Sequence, residues 1–434
     1  MSSEDNLSAI AEKPWRGTGQ PLLRKGPLIE LSRPGPHPKE TARAAARIVA
    51  AVELARHADE LQTAAGRLAA MGIARNLDTA LLSLQNLQKN LSPRNRRNNL
   101  YLHVTFSCRL RCRHCYVGEP LSRCEEIGTA ALASLINQAG DVGFRQVIIT
   151  GGEPLEHTGR AAMLGMLQKA RTSWKSPQLV LRANLTVPLS RDELRQIAGA
   201  FDQVVVSIDG DQAGHDARRG AGAYQATVRN MEAYQHLSRG LPGAGELSIA
   251  AVLRAKEIQG PSGFAVRGLA RELGVGRCRF RPLLPLGRAA EWDGPPTSEA
   301  LGAYLDPMDM IENGFFPIAS CGMGQNLYVE PGGESFPCYA YHESHSFLGN
   351  VIQEGLRAVV GGSGFIGLSS HTVDTNLKCA RCDVRYLCGG ACRAWGGGPT
   401  RRNLDAPPPE CDGLKNRAQG LLDAARNFLE ISTE

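Results

Sequence analysis

Strand-like apolar runs alternate with helical stretches through the middle of this chain, and that alternation limits the fold more than any other feature. Leu100, Leu102, Val104 and Phe106 alternate with polar residues. After them come "RQVIIT", "QLVLRANL", "DQVVVSID", "ELSIAAVL" and "CRFRPLL", with helical stretches between them. Six strands spaced by crossover helices imply parallel neighbours and right-handed connections, in an open doubly wound sheet or an incomplete barrel. In either architecture ligands sit at the carboxyl ends of the strands. The unusual residues fall there: "CRLRCRHCY" after the first strand, "GGEP" after the second, Asn184 after the third and "SIDG" after the fourth.

The flanks are organised differently. Residues 1–36 are rich in Pro and Gly and lack periodicity, which predicts a loose arm. Residues 37–98 predict a helical region and a basic linker. Ile48, Val52 and Ala55 share one face, Leu77, Leu81, Leu84, Leu87 and Leu91 recur at threes and fours, and Gly72 breaks the pattern. The further divisions expected are a core over 99–290, a linker over 291–318, a cysteine-rich domain over 319–413 and a C-terminal helix over 414–434. The first 100 residues carry 15 Lys+Arg against 9 Asp+Glu, which accounts for the whole net charge of +6. Their "PRNRRNN" run suits phosphate contact, so a non-catalytic metal protein that binds nucleic acid is one reading of the chain. No nucleic-acid module or aromatic interleaving accompanies the run, so such a partner is not expected. The basic helical layer either docks a substrate or partner by charge or buries its apolar face on the core.

Twelve cysteines are few for 434 residues, and they are clustered. With no signal peptide and no long uncharged apolar run, they point to a reducing cytoplasm, metal binding and no membrane. Cys108, Cys112 and Cys115 lie within eight residues. Thiolates suit zinc or iron-sulfur clusters, and spacing alone does not choose; zinc on these three with His114 stays open. A cubane cluster normally takes four cysteines, so three leave one iron free to hold a substrate or cofactor. Seven more cysteines, near the C-terminus, exceed what one tetrahedral ion needs and require two sites. Cys124 and Cys278 are read as loop or packing residues, with a cluster ligand or a substrate contact as the alternative for Cys278.

C-x3-C-x2-C after a first strand, followed about 35 residues later by "GGEP" after a second, resembles the radical S-adenosylmethionine (SAM) enzymes. The resemblance spans roughly residues 99–290. It implies a partial (β/α)6 TIM-like barrel, of class α/β, in which Cys108, Cys112 and Cys115 hold a 4Fe-4S cluster whose fourth iron is chelated by SAM. Reductive cleavage then yields methionine and a 5′-deoxyadenosyl radical that removes hydrogen from substrate. By the same resemblance Gly151, Gly152 and Glu153 serve the SAM ammonium, His114 the adenine, and Ser207 and Arg219 the ribose and carboxylate; Asn184 and Asp209 are weaker candidates. A low-potential electron donor such as flavodoxin or ferredoxin is implied.

The C-terminal pattern, C-x11-G-x4-C, then C-x2-C-x5-C-x3-C and a last cysteine, resembles the SPASM extension of that family, with two auxiliary 4Fe-4S clusters. It implies that Cys379, Cys382, Cys388 and Cys411 hold the outer cluster and Cys321, Cys338 and Cys392 the inner one. Sulfatase-maturing relatives have a cysteine where this chain has Leu327 and a catalytic aspartate where it has Tyr339, which argues against formylglycine formation. The expectation is a maturase acting on a ribosomal peptide or protein, giving a crosslink or oxidised centre. A small-molecule dehydrogenase or carbon-skeleton enzyme with the same cofactors is the alternative. Many such maturases carry a small winged-helix segment for the leader peptide; residues 37–92 lack a strand pair, so it is not expected here.

Overall fold

The computed structural model describes residues 38–91, 97–118, 125–172, 177–283, 286–291, 317–342, 344–390, 392, 404 and 411–429. The arm at 1–36, Cys124 and most of the 291–318 linker lie outside the described residues. The chain divides into two compact units. One comprises 1–95, 305–321 and 370–434, the other 96–304 and 322–369.

The second unit is built on one sheet. β1 (Arg97–His103), β2 (Phe144–Thr150), β3 (Gln178–Ala183), β4 (Gln203–Ser207), β5 (Glu246–Leu253) and β6 (Arg277–Pro282) lie in strict sequential order, every pairing parallel. A doubly wound sheet reverses its order at a switch point, whereas sequential order with right-handed crossovers puts every connecting helix on one face. The sheet is therefore a partial barrel, open between β6 and the far edge. That edge is extended by β7 (Leu327–Val329), parallel to β1, and by β8 (Glu334–Phe336) and β9 (Gly349–Asn350), both antiparallel.

Register separates two faces, because paired residues point the same way and neighbours along a strand point oppositely. Leu100 and Leu102 pair with Val147 and Ile149, and Ile149 with Leu181, which pairs with Val204. All six are fully buried and face the helical layer, among them α4 (Thr129–Val142), α5 (Arg160–Arg171), α6 (Arg191–Ala200), α8 (Ala223–Ser238) and α10 (Pro261–Glu272). Local signals start and stop these helices: Ser190 and Glu193 close a capping box on α6, and Gly143 ends α4 in a left-handed conformation with φ 85°. Cys278 pairs with Ile249 and shares this face with Phe280, over which Arg267 stacks at 4.5 Å. That placement makes it a packing thiol rather than a lumen contact. The opposite face carries Tyr101, His103, Thr150, Arg182, Ser207, Arg277, Arg279, Arg281 and Tyr328.

The first unit is helical. α1 (Pro38–Arg56), α2 (Leu61–Ala70) and α3 (Leu77–Leu91) bury Ile48, Val52, Leu68, Leu84 and Leu87 in one core with Ala418, Leu421, Leu422 and Ala425 of the helix Cys411–Phe428, and with Val384 and Leu387. The N-terminal helices thus spend their apolar faces on the C-terminal helix and the cysteine-bearing segment of their own unit. Polar bonds reinforce this: Arg385 donates to the Ala55 carbonyl at the end of α1 (2.7 Å), and Arg56 reaches Asp383 at 3.1 Å. Glu53, fully buried, is held by Arg67 at 2.6 Å. Among the described residues no helix is long and apolar enough to cross a membrane.

Candidate functional site

The cysteine loop leaves the end of β1 and is clamped by backbone at several points. Gly152 N–H donates to Thr105 O (2.8 Å) and Glu153 N–H to Ser107 O (2.7 Å), so the turn after β2 lies directly on the segment leading to Cys108. A Cβ on Gly151 would overlap Thr105 O, and one on Gly152 would overlap Ser107 O and Phe106 O. The two glycines are needed for this close approach of backbone to backbone. Farther along, Arg113 N–H donates to Arg218 O (2.9 Å), and Arg288 holds Cys115 O through its own N–H (3.0 Å) and Cys112 O through its guanidinium (3.2 Å).

Glu153 is fully buried and takes N–H bonds from Leu155 (3.2 Å) and Asn184 (2.6 Å). Burial pushes its carboxyl up to about 7 against the pull of those bonds. Asn184 turns its amide toward Cys108 Sγ (3.9 Å) while its Oδ1 accepts from Thr186 N–H and its carbonyl from the Thr227 hydroxyl. These contacts hold Leu185 at φ 54°. Burial also raises the Cys108 thiol to about 12, so it becomes a thiolate only with a bound metal to favour that form.

Past β4, Asp209 is buried and organises the next loop. Its carboxylate accepts from Arg219 Nε (2.6 Å) and from Val252 N–H (2.8 Å), and it stands 3.2 Å from His114 Nε2. Opposed to the cost of burial, the Arg219 and His114 charges hold its carboxyl well below the usual range. Asp209 therefore links the cysteine loop to the end of α7 (Gln212–Arg219), a role more central than loop capping. His114 Nδ1 is buried without a hydrogen-bond partner, and so is His215 Nε2 nearby. Ser207, half-buried, ends β4 opposite Ala250. Cys108, Cys112, Cys115, His114, Gly151, Gly152, Glu153, Asn184 and Ser207 thus lie in the loops or strand ends at the carboxyl side of β1 to β4, and Arg219 at the end of the helix that follows β4.

The lumen wall beside Cys115 is the part that sequence reasoning missed. His103, fully buried, stands 3.3 Å from Tyr116 OH through Nε2 and 3.2 Å from Tyr328 OH through Nδ1. Burial lowers its pKa to about 3, so it is neutral, with one N–H and one lone pair; one tyrosine donates to it and the other accepts. Tyr339 packs against Tyr116 with ring centroids 4.8 Å apart. Arg182 lies over the Tyr101 ring at 5.3 Å. The available signal was the arginine at every second position of "RCRFRP".

In the first unit, Cys379 lies on a short helix capped by the Asn376 side chain (3.0 Å), Cys388 ends another, and Cys411 opens the 18-residue helix Cys411–Phe428. Cys321 and Cys392 belong to this unit and Cys338 to the other.

The donor set fits an iron-sulfur cluster. None of these ten cysteines is joined in a disulfide among the described residues. Among the described residues no three Cys, His, Asp or Glu side chains converge on a point where one ion would sit. Thiolates on a cubane each bind a different iron, so they need not converge on one point. The unpartnered His114 Nδ1 beside that loop leaves a polar atom for a ligand.

Residues 102–241 match the model of the Radical SAM superfamily. An AdoMet-dependent heme synthase of Nitratidesulfovibrio vulgaris is 32% identical over 133 residues, 30% of this chain and 34% of that protein, so the chain spans about a third of that relative. A PqqA peptide cyclase of Xanthomonas axonopodis pv. citri is 27% identical over 333 residues, covering 68% of this chain and 82% of the cyclase. Among solved structures, native anSMEcpe with bound AdoMet superposes with a TM-score of 0.59 at 18% identity, over 76% of this chain and 99% of that one. Streptococcus suis SuiB bound to its precursor peptide SuiA gives 0.56 at 13% identity, over 77% and 81%. The carboxyl-end loops described above fall within the segment that matches the Radical SAM superfamily model, and the superposed structures share the fold that carries them.

Proposed function

We propose that this enzyme modifies a ribosomally made peptide or protein, forming a crosslink or an oxidised centre at a side chain. The observation that carries this reading is the similarity to PqqA peptide cyclase, which extends over 68% of the chain and well beyond the segment shared with the heme synthase. The cysteines of residues 319–413 support a SPASM-type region: Cys379, Cys382, Cys388 and Cys411 as one cluster's ligands, Cys321, Cys338 and Cys392 as three of another's. The four of the first set belong to a single compact unit.

When bound, the cluster and S-adenosylmethionine supply the hydrogen-abstracting radical chemistry. Cys108, Cys112 and Cys115 would hold the cluster, and the glycine turn, Glu153, His114, Ser207 and Arg219 the nucleotide. Asn184 directs its amide N–H at Cys108 Sγ, a contact that tunes a cluster's potential and orients its ligand. Asp209 fixes Arg219 and His114 in place before ligand arrives, so less ordering is left to binding. The Tyr116, His103 and Tyr328 chain gives the lumen a fixed, neutral hydrogen-bonding wall and a route for a proton between the two hydroxyls.

The test is to reconstitute the protein anaerobically and incubate it with SAM, a strong reductant and the small peptides encoded beside its gene. One of them should lose hydrogen mass while 5′-deoxyadenosine appears. Consumption of a metabolite with every peptide untouched would overturn the reading.

A further inference from the structure

We propose that Arg182, Arg279 and Arg281 form a carboxylate-binding site in the barrel lumen, taking acidic side chains of the substrate peptide beside the residue to be modified. This rests on the peptide reading above.

The three arginines share the lumen face. Arg279 pairs with Ala250, which pairs with Ser207, so it stands level with the end of β4; Arg281 lies one step farther toward the loops. Arg182 reaches the same space from β3, with Tyr101 beneath its guanidinium. Arg279 and Arg281 are open to solvent. Yet the surrounding protein and the repulsion of neighbouring arginines, Arg182 included, lower both, Arg279 to about 10. Solvent access within dense protein describes a wet lumen, not an outer surface.

Several other arginines of this unit are paired with acids. Arg160 pairs with Glu193 (2.5 Å), Arg171 with Asp202 (3.0 Å), Arg218 with Glu257 (2.5 Å), Arg219 with Asp209 (2.6 Å) and Arg277 with Glu246 (3.4 Å). Among the described residues Arg182, Arg279 and Arg281 have none, and Arg182 Nε is buried without a hydrogen-bond partner. Gathering like charges without a counter-ion is costly, so such a group marks a place where an anion binds. Guanidinium groups suit carboxylates, gripping them through paired N–H donors. An unmodified ribosomal peptide offers only carboxylates as anions, from Asp, Glu or its C-terminus. The aromatic wall of Tyr101, Tyr116, Tyr328 and Tyr339 would pack the apolar stems.

The test uses the full chain, cluster-reconstituted and SAM-loaded, with a fluorescent Gly/Ser/Tyr peptide bearing a Glu-Glu pair, its Gln-Gln isostere, and glutarate. The Glu peptide should bind at least about tenfold tighter than the Gln isostere at low salt. That preference should fall toward unity in Arg182→Gln and Arg281→Gln, return in part in Arg281→Lys, and leave SAM affinity unchanged. Equal binding of the two peptides to the unaltered enzyme would overturn the acidic site while leaving the peptide reading intact. Arginine-dependent binding of glutarate with no binding of either peptide would instead keep the carboxylate site and overturn the peptide reading. Absence of binding by all three probes, or loss of SAM affinity in the glutamine variants, would refute the site.

Discussion

The two faces of the six-stranded sheet are made by the same strands and obey opposite rules. Toward the helices stand Leu100, Leu102, Val147, Ile149, Leu181 and Val204, all apolar and closed to water. Toward the lumen the same strands present His103, Thr150, Arg182, Ser207, Arg279 and Arg281. The outer face is chosen for burial, since each large side chain removed from water contributes about 1.5–3 kcal/mol. The inner face holds groups that cost free energy to enclose and contribute little packing in return. A fold tolerates that cost where the groups meet a ligand, so stability and function are separated here by a one-residue step along each strand.

The largest expected effect lies where the two faces meet, at the turn after β2. In Gly152→Ala the new methyl collides with Ser107 O and Phe106 O, backbone atoms that cannot swing aside. The cysteine loop must then move as a whole. We expect loss of deoxyadenosine formation below detection and destabilisation of more than about 3 kcal/mol, read by anaerobic turnover and urea unfolding. Turnover near the unaltered level would show that the close approach is dispensable. Next is Leu102→Ala, a cavity in the outer face, with an expected loss of about 2–5 kcal/mol and SAM cleavage per folded molecule retained. Lost cleavage in fully folded protein would contradict the separation of the faces.

Much of this division was legible in the sequence, but unevenly. Strand positions, the cysteine loop and "GGEP" could be placed because local pattern alone fixes them: alternation at Leu100, Leu102, Val104 and Phe106, spacing at Cys108, Cys112 and Cys115. The choice between a doubly wound sheet and a partial barrel could not be made from pattern, since both have the same alternation; strand order decided it. The role of Asp209 was hidden because its partners, His114 and Arg219, are distant in sequence and meet only through the fold. His103 read as an ordinary polar alternate of β1, though it is fully buried between two tyrosines. The partner of the N-terminal helices was equally hidden, because an amphipathic pattern states that a face is buried and not against what.

The lumen also gives the protein a pH signature that the outer face lacks. His103 has a folded pKa of about 3 against an ordinary value of 6.5. The unfolded chain therefore takes up a proton that the folded one refuses. Its contribution is complete above pH 6.5 and is lost as pH falls toward 3, at up to about 1.4 kcal/mol per pH unit. Glu153 runs the other way: its folded pKa of about 7 lies above the ordinary 4.5, so its contribution is complete below pH 4.5 and lost as pH rises toward 7. In the cluster-free protein His103→Gln should flatten the acid side of the stability profile, and Glu153→Gln the neutral side. An acid limb of unchanged slope in His103→Gln would show that the imidazole is not held neutral.

The smallest expected effect has the most informative sign. Arg277 and Arg281 occupy the same strand and the same face, two register steps apart, yet only Arg277 has an acid, Glu246 at 3.4 Å. That pair is partly exposed, with side chains 22% and 40% accessible, so its worth is at most about 1 kcal/mol. Arg277→Gln should then be neutral or slightly destabilising. Arg281 shares the wet lumen with Arg182 and has no described acid, so removing its charge relieves repulsion and breaks no ion pair. Arg281→Gln should raise the unfolding midpoint slightly, in a protein that has lost its preference for acidic peptides. A natural position at which the wild-type residue lowers stability is one kept for what it binds. If Arg281→Gln instead destabilised the protein as much as Leu102→Ala does, the inner face would be ordinary structure, and the contrast between the two faces would be one of polarity alone.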